Sequence, residues 1–139
     1  MKRRNTLVAA LAATVLALPL ATLPAQADST GATDLIISEY VEGSSNNKYI
    51  ELYNGTDAEI DLSQYTMELY TNGATTTKNP QALSSTLAPG ATFILANSQA
   101  KIHGSMAVLT SSVTNFNGDD VLVLKKGDQV VDSLGQIGD

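Results

Sequence analysis

Short stretches rich in β-branched and aromatic residues recur along the chain from residue 34 onward, separated by residues that favour tight turns. We predict strands over 35–42, 48–54, 66–71, 91–96, 108–111, 121–125 and 129–134. The turn signals are Asn54-Gly55, Asn72-Gly73, Pro89-Gly90, Asn117-Gly118 and Gly127-Asp128, where Gly or Asn can supply a positive φ. No convincing helical period accompanies them. About seven short strands at this spacing predict an all-β, antiparallel sandwich or barrel.

The clearest hairpin lies near the end of the sequence. The apolar stretch 121–124 leads through two lysines to Gly127-Asp128, and the stretch 129–131 follows. Glycine as the first of two loop residues suits a type II′ turn. Two segments are less clear: 98–106 holds either a helical turn or a crossover loop, and the polar segment 75–86 reads as a loop with a weak edge strand.

The first 27 residues are predicted to be a secretory signal peptide. A basic start at 2–4 precedes a Leu-, Ala- and Val-rich stretch over 7–23, and Ala25-Gln26-Ala27 forms a cleavage pattern. A membrane anchor is the alternative, but Pro19 and Pro24 interrupt the apolar stretch. We therefore expect a secreted, extracellular product without a membrane span. It would have a flexible lead-in over 28–33 and one domain over 34–139.

The expected mature chain is strongly acidic. It keeps five basic and all fourteen acidic side chains, which gives a net charge of −9. Phosphate binding normally requires clustered Lys and Arg, and only Lys125 and Lys126 are adjacent, so we expect no direct nucleic-acid binding. Cysteine is absent. The domain must therefore be stabilised by packing, to which a bound ion could add.

Four blocks of the sequence, in order, resemble the lamin tail domain family in its bacterial form. They are DLIISEYVEGSSNNKYIELYN, IDLSQYTMELY, LAPGATFILAN and FNGDDVLVLKKGDQVVDSLGQIGD, which together span 34–139. The resemblance implies an immunoglobulin-like β-sandwich of about seven strands. The sequence of these blocks, which follow directly on the predicted signal peptide, is also similar to the N-terminal part of large secreted nucleases. In those proteins the catalytic domain lies further along the chain. In that family, the sequence after GQIG normally continues before the domain ends. We therefore expect this chain to be either a fragment or a short protein that lacks its last strand.

Two acids in the first predicted hairpin form the candidate metal site. If Glu42 pairs with Lys48, the register places Glu39 opposite Glu51 and Ser38 opposite Leu52, with Tyr40 on the core face beside Ile50 and Leu52. Opposed like charges are mildly destabilising. Either both acids are simply solvated and screened by salt, or a hard cation such as Ca²⁺ bridges them. A catalytic carboxylate pair would additionally need a substrate cleft and shifted pKa values.

Other polar residues give weaker signals. Residues 117–120 read either as a calcium loop, although they lack the alternating acids of an EF-hand, or as a turn in which the Asn117 side chain bonds local backbone. His103 is the single histidine, and no nucleophile motif accompanies it. The tyrosines near strands are expected to be edge packing or an exposed contact patch, at Tyr49, Tyr53, Tyr65 and Tyr70. We therefore predict no catalytic residue and no cofactor, with Ca²⁺ at Glu39 and Glu51 left open.

Three functional hypotheses follow. The leading one is a non-catalytic exported module for binding, targeting or support of an attached enzyme, whose partner would be a downstream catalytic domain or another extracellular protein. The second is the N-terminal part of a secreted, metal-dependent nuclease. The third is a small free-standing surface or matrix protein. The sequence leaves the ligand and the oligomeric state open, a monomer included.

Overall fold

The computed structural model describes residues 31–101, 106 and 108–139. Ten strands follow in chain order: β1 Leu35–Glu42, β2 Lys48–Asn54, β3 Ile60–Asp61, β4 Tyr65–Tyr70, β5 Gln81–Ala82, β6 Thr86–Leu87, β7 Thr92–Ala96, β8 Leu109–Thr110, β9 Val121–Lys126 and β10 Gln129–Leu134. Two 3₁₀ turns lie at Leu62–Gln64 and Ser112–Thr114. Within these residues, no helix is long and apolar enough to cross a membrane. The predicted all-β class is confirmed.

The strands form two four-stranded sheets and one small ribbon. The first sheet has the order β1-β2-β7-β8, the second has the order β10-β9-β4-β5, and β3 pairs with β6. The pairs are antiparallel except β7 with β8, which is parallel. Residues from both larger sheets pack into one shared core, as the facing layers of an immunoglobulin-like sandwich require.

The predicted strands agree with the observed ones to within one residue at each end, and three of them agree completely. The sequence patterns missed β3 and β6, which have two residues each. The weak edge strand expected in 75–86 corresponds to β5 at Gln81–Ala82. The prediction for 98–106 lies largely outside the described residues, as do the signal-peptide prediction and His103.

The core is built from alternate residues of the facing strands. Tyr65 and Met67 of β4 are 1% and 0% exposed, and Leu122 and Leu124 of β9 lie in the same cluster. Phe116 lies in the connection before β9, yet it is 0% exposed. The first sheet contributes Ile50 and Leu52 of β2, both fully buried. The period of two along each strand therefore separates a core face from an outer face.

A β-bulge at Ser38 changes the predicted register of the first hairpin. Ile37, and not Ser38, lies opposite Leu52, whereas Glu39 is opposite Glu51 and Glu42 is opposite Lys48 as predicted. The extra residue on β1 shifts the pairing by one position. The predicted partner of Leu52 is therefore wrong, while the pairing nearer the loop is confirmed.

Two of the five turn signals use glycine or asparagine differently from the prediction. Positive φ occurs at Asn72 and Gly73, at Gly90 and at Gly127. Asn54, however, is fully buried at the end of β2, where its side-chain amide donates to two backbone carbonyls at 2.8 Å. Asn54-Gly55 and Asn117-Gly118 have no positive φ. The prediction of positive φ at these two places is wrong.

Candidate functional site

The predicted acid pair lies on the outer face of the first hairpin. Glu39 is exposed and Glu51 is half-buried, and the two occupy directly opposed positions. The hydroxyl of Ser38, the bulged residue, donates to Glu51 Oε1 at 2.7 Å. The bulge therefore gives Glu51 a neutral hydrogen-bond donor beside its opposed acid. This donor offsets part of the like-charge repulsion without a cation.

Tyr40 does not occupy the core, contrary to the prediction from register. It is 39% exposed, and its ring lies on that of Phe116, with 4.5 Å between ring centroids. Phe116 fills the core at this end of the sandwich and leaves Tyr40 above it. The Tyr40 hydroxyl donates to Glu42 Oε2 at 2.7 Å. Burial of the ring, and then this hydrogen bond, raise the pKa of Tyr40, and the same bond lowers the pKa of Glu42.

Lys48 connects the first hairpin to the segment that carries Phe116. Its ammonium lies 3.4 Å from Glu42 Oε1 and 3.5 Å from Asn117 Oδ1. It also donates to the carbonyl oxygen of Phe116 and lies 5.5 Å from that ring's centroid. The predicted pair of Glu42 with Lys48 is confirmed. Lys48 additionally serves as a donor to a neighbouring loop, which the sequence did not indicate.

Residues 117–120 form a turn held by Asp120. Its amide donates to the carbonyl of Asn117 at 2.9 Å, which closes the turn. Its two carboxylate oxygens accept from the backbone N–H of Asn117 at 2.7 Å and of Asn72 at 2.9 Å. The side chain that stabilises the turn is that of Asp120, not the expected asparagine. The hydrogen bonds of Asp120 close and fix this turn, so the turn interpretation is favoured over a calcium loop.

Tyr40, Glu42 and Lys48 form one polar cluster, and a second polar cluster lies on the outer face of the second sheet. Tyr70 donates to Glu68 Oε2 at 2.6 Å, and the Lys125 ammonium lies 2.8 Å from the same oxygen. Glu68 and Tyr70 are 9% and 5% exposed. The hydrogen bond with Glu68 is the main cause that raises the pKa of both Tyr70 and Lys125. The three side chains therefore form one hydrogen-bonded ion pair that joins β4 to β9.

The third polar cluster fixes the start of β1 to the second sheet. The Tyr65 hydroxyl donates to Asp34 Oδ1, and the ammonium of Lys126 lies 3.7 Å from Asp34 Oδ2. The same ammonium is 5.1 Å from the centroid of the Tyr65 ring. Carboxylate, phenol and ammonium again satisfy one another. The cluster joins two strands across the sandwich.

The comparison with protein families decides what kind of domain this is. The family model described as the lamin tail domain matches residues 28–138. The chain belongs to the lamin tail domain family. No curated protein matches the chain at a significant level. The lamin tail domain is an immunoglobulin-like, non-catalytic domain family, and the two-sheet sandwich of this chain agrees with that fold.

The candidate cation pair has few ligands to offer in this lamin tail domain. Among residues 31–101, 106 and 108–139, no three His, Cys, Asp or Glu side chains converge on one point. Ca²⁺ takes six to eight oxygen ligands, so Glu39 and Glu51 would have to share the ion with water. The cation at this pair stays a prediction, and calcium-dependent stability is its test.

Sequence reasoning missed the polar residues that organise this lamin tail domain. Glu68 stands between the apolar residues Met67 and Leu69 in a strand. A glutamate between two apolar residues of a strand indicates a carboxylate that needs a partner on the outer face. The sequence offered such partners in Tyr70, two residues later, and in the lysines of the last hairpin. Asp120 was visible only as part of an acidic turn. Its hydrogen bond to Asn72 joins residues 48 positions apart.

Proposed function

We propose that this lamin tail domain is a non-catalytic module of an exported protein that binds, targets or supports an attached enzyme or another extracellular protein. The observation that carries the proposal is the family match over 28–138, which includes nearly all of the described sandwich. The basic and apolar start of the sequence supports export. The fold therefore supplies a rigid scaffold, and the proposed role depends on its surface.

The polar clusters support a structural rather than a catalytic use of the ionised residues. Glu42 is held by Tyr40 and Lys48, Glu68 is held by Tyr70 and Lys125, and Asp120 is held by two backbone amides. A general base or nucleophile must instead lie within hydrogen-bond or bonding reach of the reacting group of a substrate. Each carboxylate is used to join two segments of the fold.

The second candidate is that the module forms the N-terminal part of a secreted nuclease. The four-block resemblance, which follows directly on a predicted signal peptide, favours this context. In that case the nuclease chemistry would belong to another domain of the same protein. Sequencing the reading frame past Asp139 tests this candidate, because a catalytic domain encoded there would supply the attached enzyme.

Export predicts a defined N-terminus. Signal peptidase recognises small residues at the positions before the cut, and Ala25-Gln26-Ala27 provides them. We expect protein recovered from the culture medium to begin at Asp28 by N-terminal sequencing. Replacement of Ala27 by leucine should block this cut and keep the product with the cells. Extracellular protein that still carries Met1 would contradict the prediction.

The absence of catalysis is tested directly with DNA. We expect no cleavage of supercoiled plasmid by the purified protein in Mg²⁺, Mn²⁺ or Ca²⁺, because its net charge of −9 over 28–139 repels the polyanion. A nuclease added at trace level controls the sensitivity of the gel assay. Cleavage that co-purifies with the domain through several columns, and that a surface mutation abolishes, would overturn the non-catalytic proposal.

A further inference from the structure

Two edge strands run side by side along one side of the sandwich and open into a groove. β1 is the outer strand of the first sheet and β10 is the outer strand of the second. At one end, Asp132 Oδ2 accepts a hydrogen bond from the Ile37 backbone N–H at 2.8 Å. At the other end lies a groove of about 300 Å³, which we call the edge groove, lined by Tyr40, Glu42, Gly118, Asp120, Leu122, Leu134 and Gly135.

The backbone of β1 faces this opening at two residues. The carbonyl of Lys48 accepts from the N–H of Asn97, and the N–H of Asn54 donates to the carbonyl of Ala91. The even-numbered residues of β2 therefore direct their backbone N–H and C=O groups toward β7. Because the direction of the backbone hydrogen bonds alternates along a strand, Tyr49 and Glu51 direct their N–H and C=O groups toward β1. Their partners there are Val41 and Glu39. Tyr40 and Glu42 therefore direct their N–H and C=O groups to the open edge.

The side chains of the edge groove combine apolar walls with an acidic rim. Among the apolar lining residues, Leu122 is 1% exposed, while Tyr40 on β1 and Leu134 on β10 are 39% and 37% exposed. Glu42 and Asp120 are oriented by the hydrogen bonds described above. No lysine or arginine is among the lining residues, and the ion pair with Lys48, whose ammonium lies 3.4 Å from Glu42 Oε1, leaves the Glu42 side chain 34% exposed. The groove therefore suits a ligand that is extended, partly apolar and positively charged.

We propose that the open edge of β1 and the edge groove bind an extended, basic peptide segment of a partner protein by strand addition. Backbone groups of the segment pair with Tyr40 and Glu42. On the face that enters the groove, an apolar side chain lies between Tyr40 and Leu134, and a lysine or arginine contacts Glu42 and Asp120. Exposed backbone at a sheet edge is the usual template for such pairing.

The charge of the domain selects this occupant over a second copy of the same chain. Edge-to-edge pairing of two copies would bring Glu39 and Glu42 of one copy near the same acids of the other, in domains that each carry −9. Opposed like charges destabilise a strand pair, whereas a basic segment is attracted. This inference rests on the proposed binding role and gives that role a partner chemistry.

The experiment titrates the ¹⁵N-labelled protein, purified after expression of the full chain, with a blocked octapeptide, Thr-Val-Thr-Lys-Thr-Val-Thr-Lys. One face of this probe alternates valine and lysine. We expect saturable amide shifts centred on Tyr40, Glu42 and Leu134. Two N-methylated versions, blocked at odd or at even positions, test strand addition, because only one parity of N–H groups faces β1. One version should bind like the parent and the other should not bind.

Charge selection is tested on both partners. A probe with glutamate in place of lysine should not bind. Glu42→Gln should weaken binding of the basic probe about two- to fivefold, as expected for loss of one exposed ion pair. Glu59→Gln, at an exposed position in the connection between β2 and β3, should leave binding unchanged. Circular dichroism confirms that both variants fold.

Four results would overturn the proposal. They are equal binding of the glutamate probe, equal binding of both N-methylated versions, saturable shifts only away from β1 and β10, and no saturable shift at millimolar probe. A fifth result would do the same: dimerisation that Glu42→Gln strengthens would show that a second copy occupies this edge. Failure here leaves the non-catalytic module intact, because DNA cleavage and N-terminal sequencing test that role separately.

Discussion

Replacing Leu52 by alanine is expected to lower the free energy of unfolding by about 2–5 kcal/mol. Leu52 is fully buried in the centre of the first sheet, where its strand neighbours are Ile37 on β1 and Phe93 on β7. Truncation loses the transfer free energy of three carbons and leaves a cavity that paired strands on both sides cannot close. Small domains have about 5–15 kcal/mol in total, so urea denaturation should show a large fall in midpoint.

The matched control is Glu51→Gln, one position away on the opposite face of the same strand. Because it removes the charge opposed to Glu39 and keeps an acceptor for Ser38, it should leave stability unchanged or raise it slightly. If Ca²⁺ bridges the pair, Glu51→Gln should instead lower stability only when Ca²⁺ is present. Denaturation of both variants in Ca²⁺ and in chelator separates these outcomes. A tolerated Leu52→Ala would contradict the assignment of the core face.

The strands were predictable because local patterns determine them. β1, β2 and β10 have the predicted bounds, since a β-rich stretch between turn residues fixes both ends of a strand. The two-residue strands β3 and β6 are too short to show alternation, and they form only because the chain brings Ile60 opposite Leu87. The parallel pairing of β7 with β8 likewise depends on tertiary contact and has no local signal.

The candidate site was predictable only where the hairpin register alone decides it. Glu39 meets Glu51, and Glu42 meets Lys48, because both pairs lie between the loop and the bulge. The bulge at Ser38 has no sequence signature in this chain. The exposure of Tyr40 depends on Phe116, which arrives from 76 positions further along the sequence. The hydrogen bonds that Asp120 and Asp132 accept from Asn72 and Ile37 also join distant segments, which spacing along the chain does not reveal.

Phe116 is the residue whose loss should affect both the core and the edge of the sandwich. It is 0% exposed, its ring supports Tyr40, and its carbonyl accepts from Lys48. Phe116→Ala should cost about 3–5 kcal/mol of unfolding free energy, because a large aromatic side chain leaves a cavity at the end of the core. Phe116→Leu should cost less than about half of that, since it keeps most of the buried volume.

The chain's other phenylalanine gives the matched comparison for Phe116→Ala. Phe93 is only partly buried against the same core, so Phe93→Ala should cost clearly less in the same urea titration. Tyr40→Ala should cost no more than about 1.5 kcal/mol, the scale of one aromatic pair at an exposed position. The double variant of Tyr40 and Phe116 should be less than additive, because the first substitution already removes the contact between the rings. If Phe116→Ala proves as mild as Phe93→Ala, the core does not extend beneath Tyr40. The exposed position of Tyr40 on the edge groove would then need another explanation.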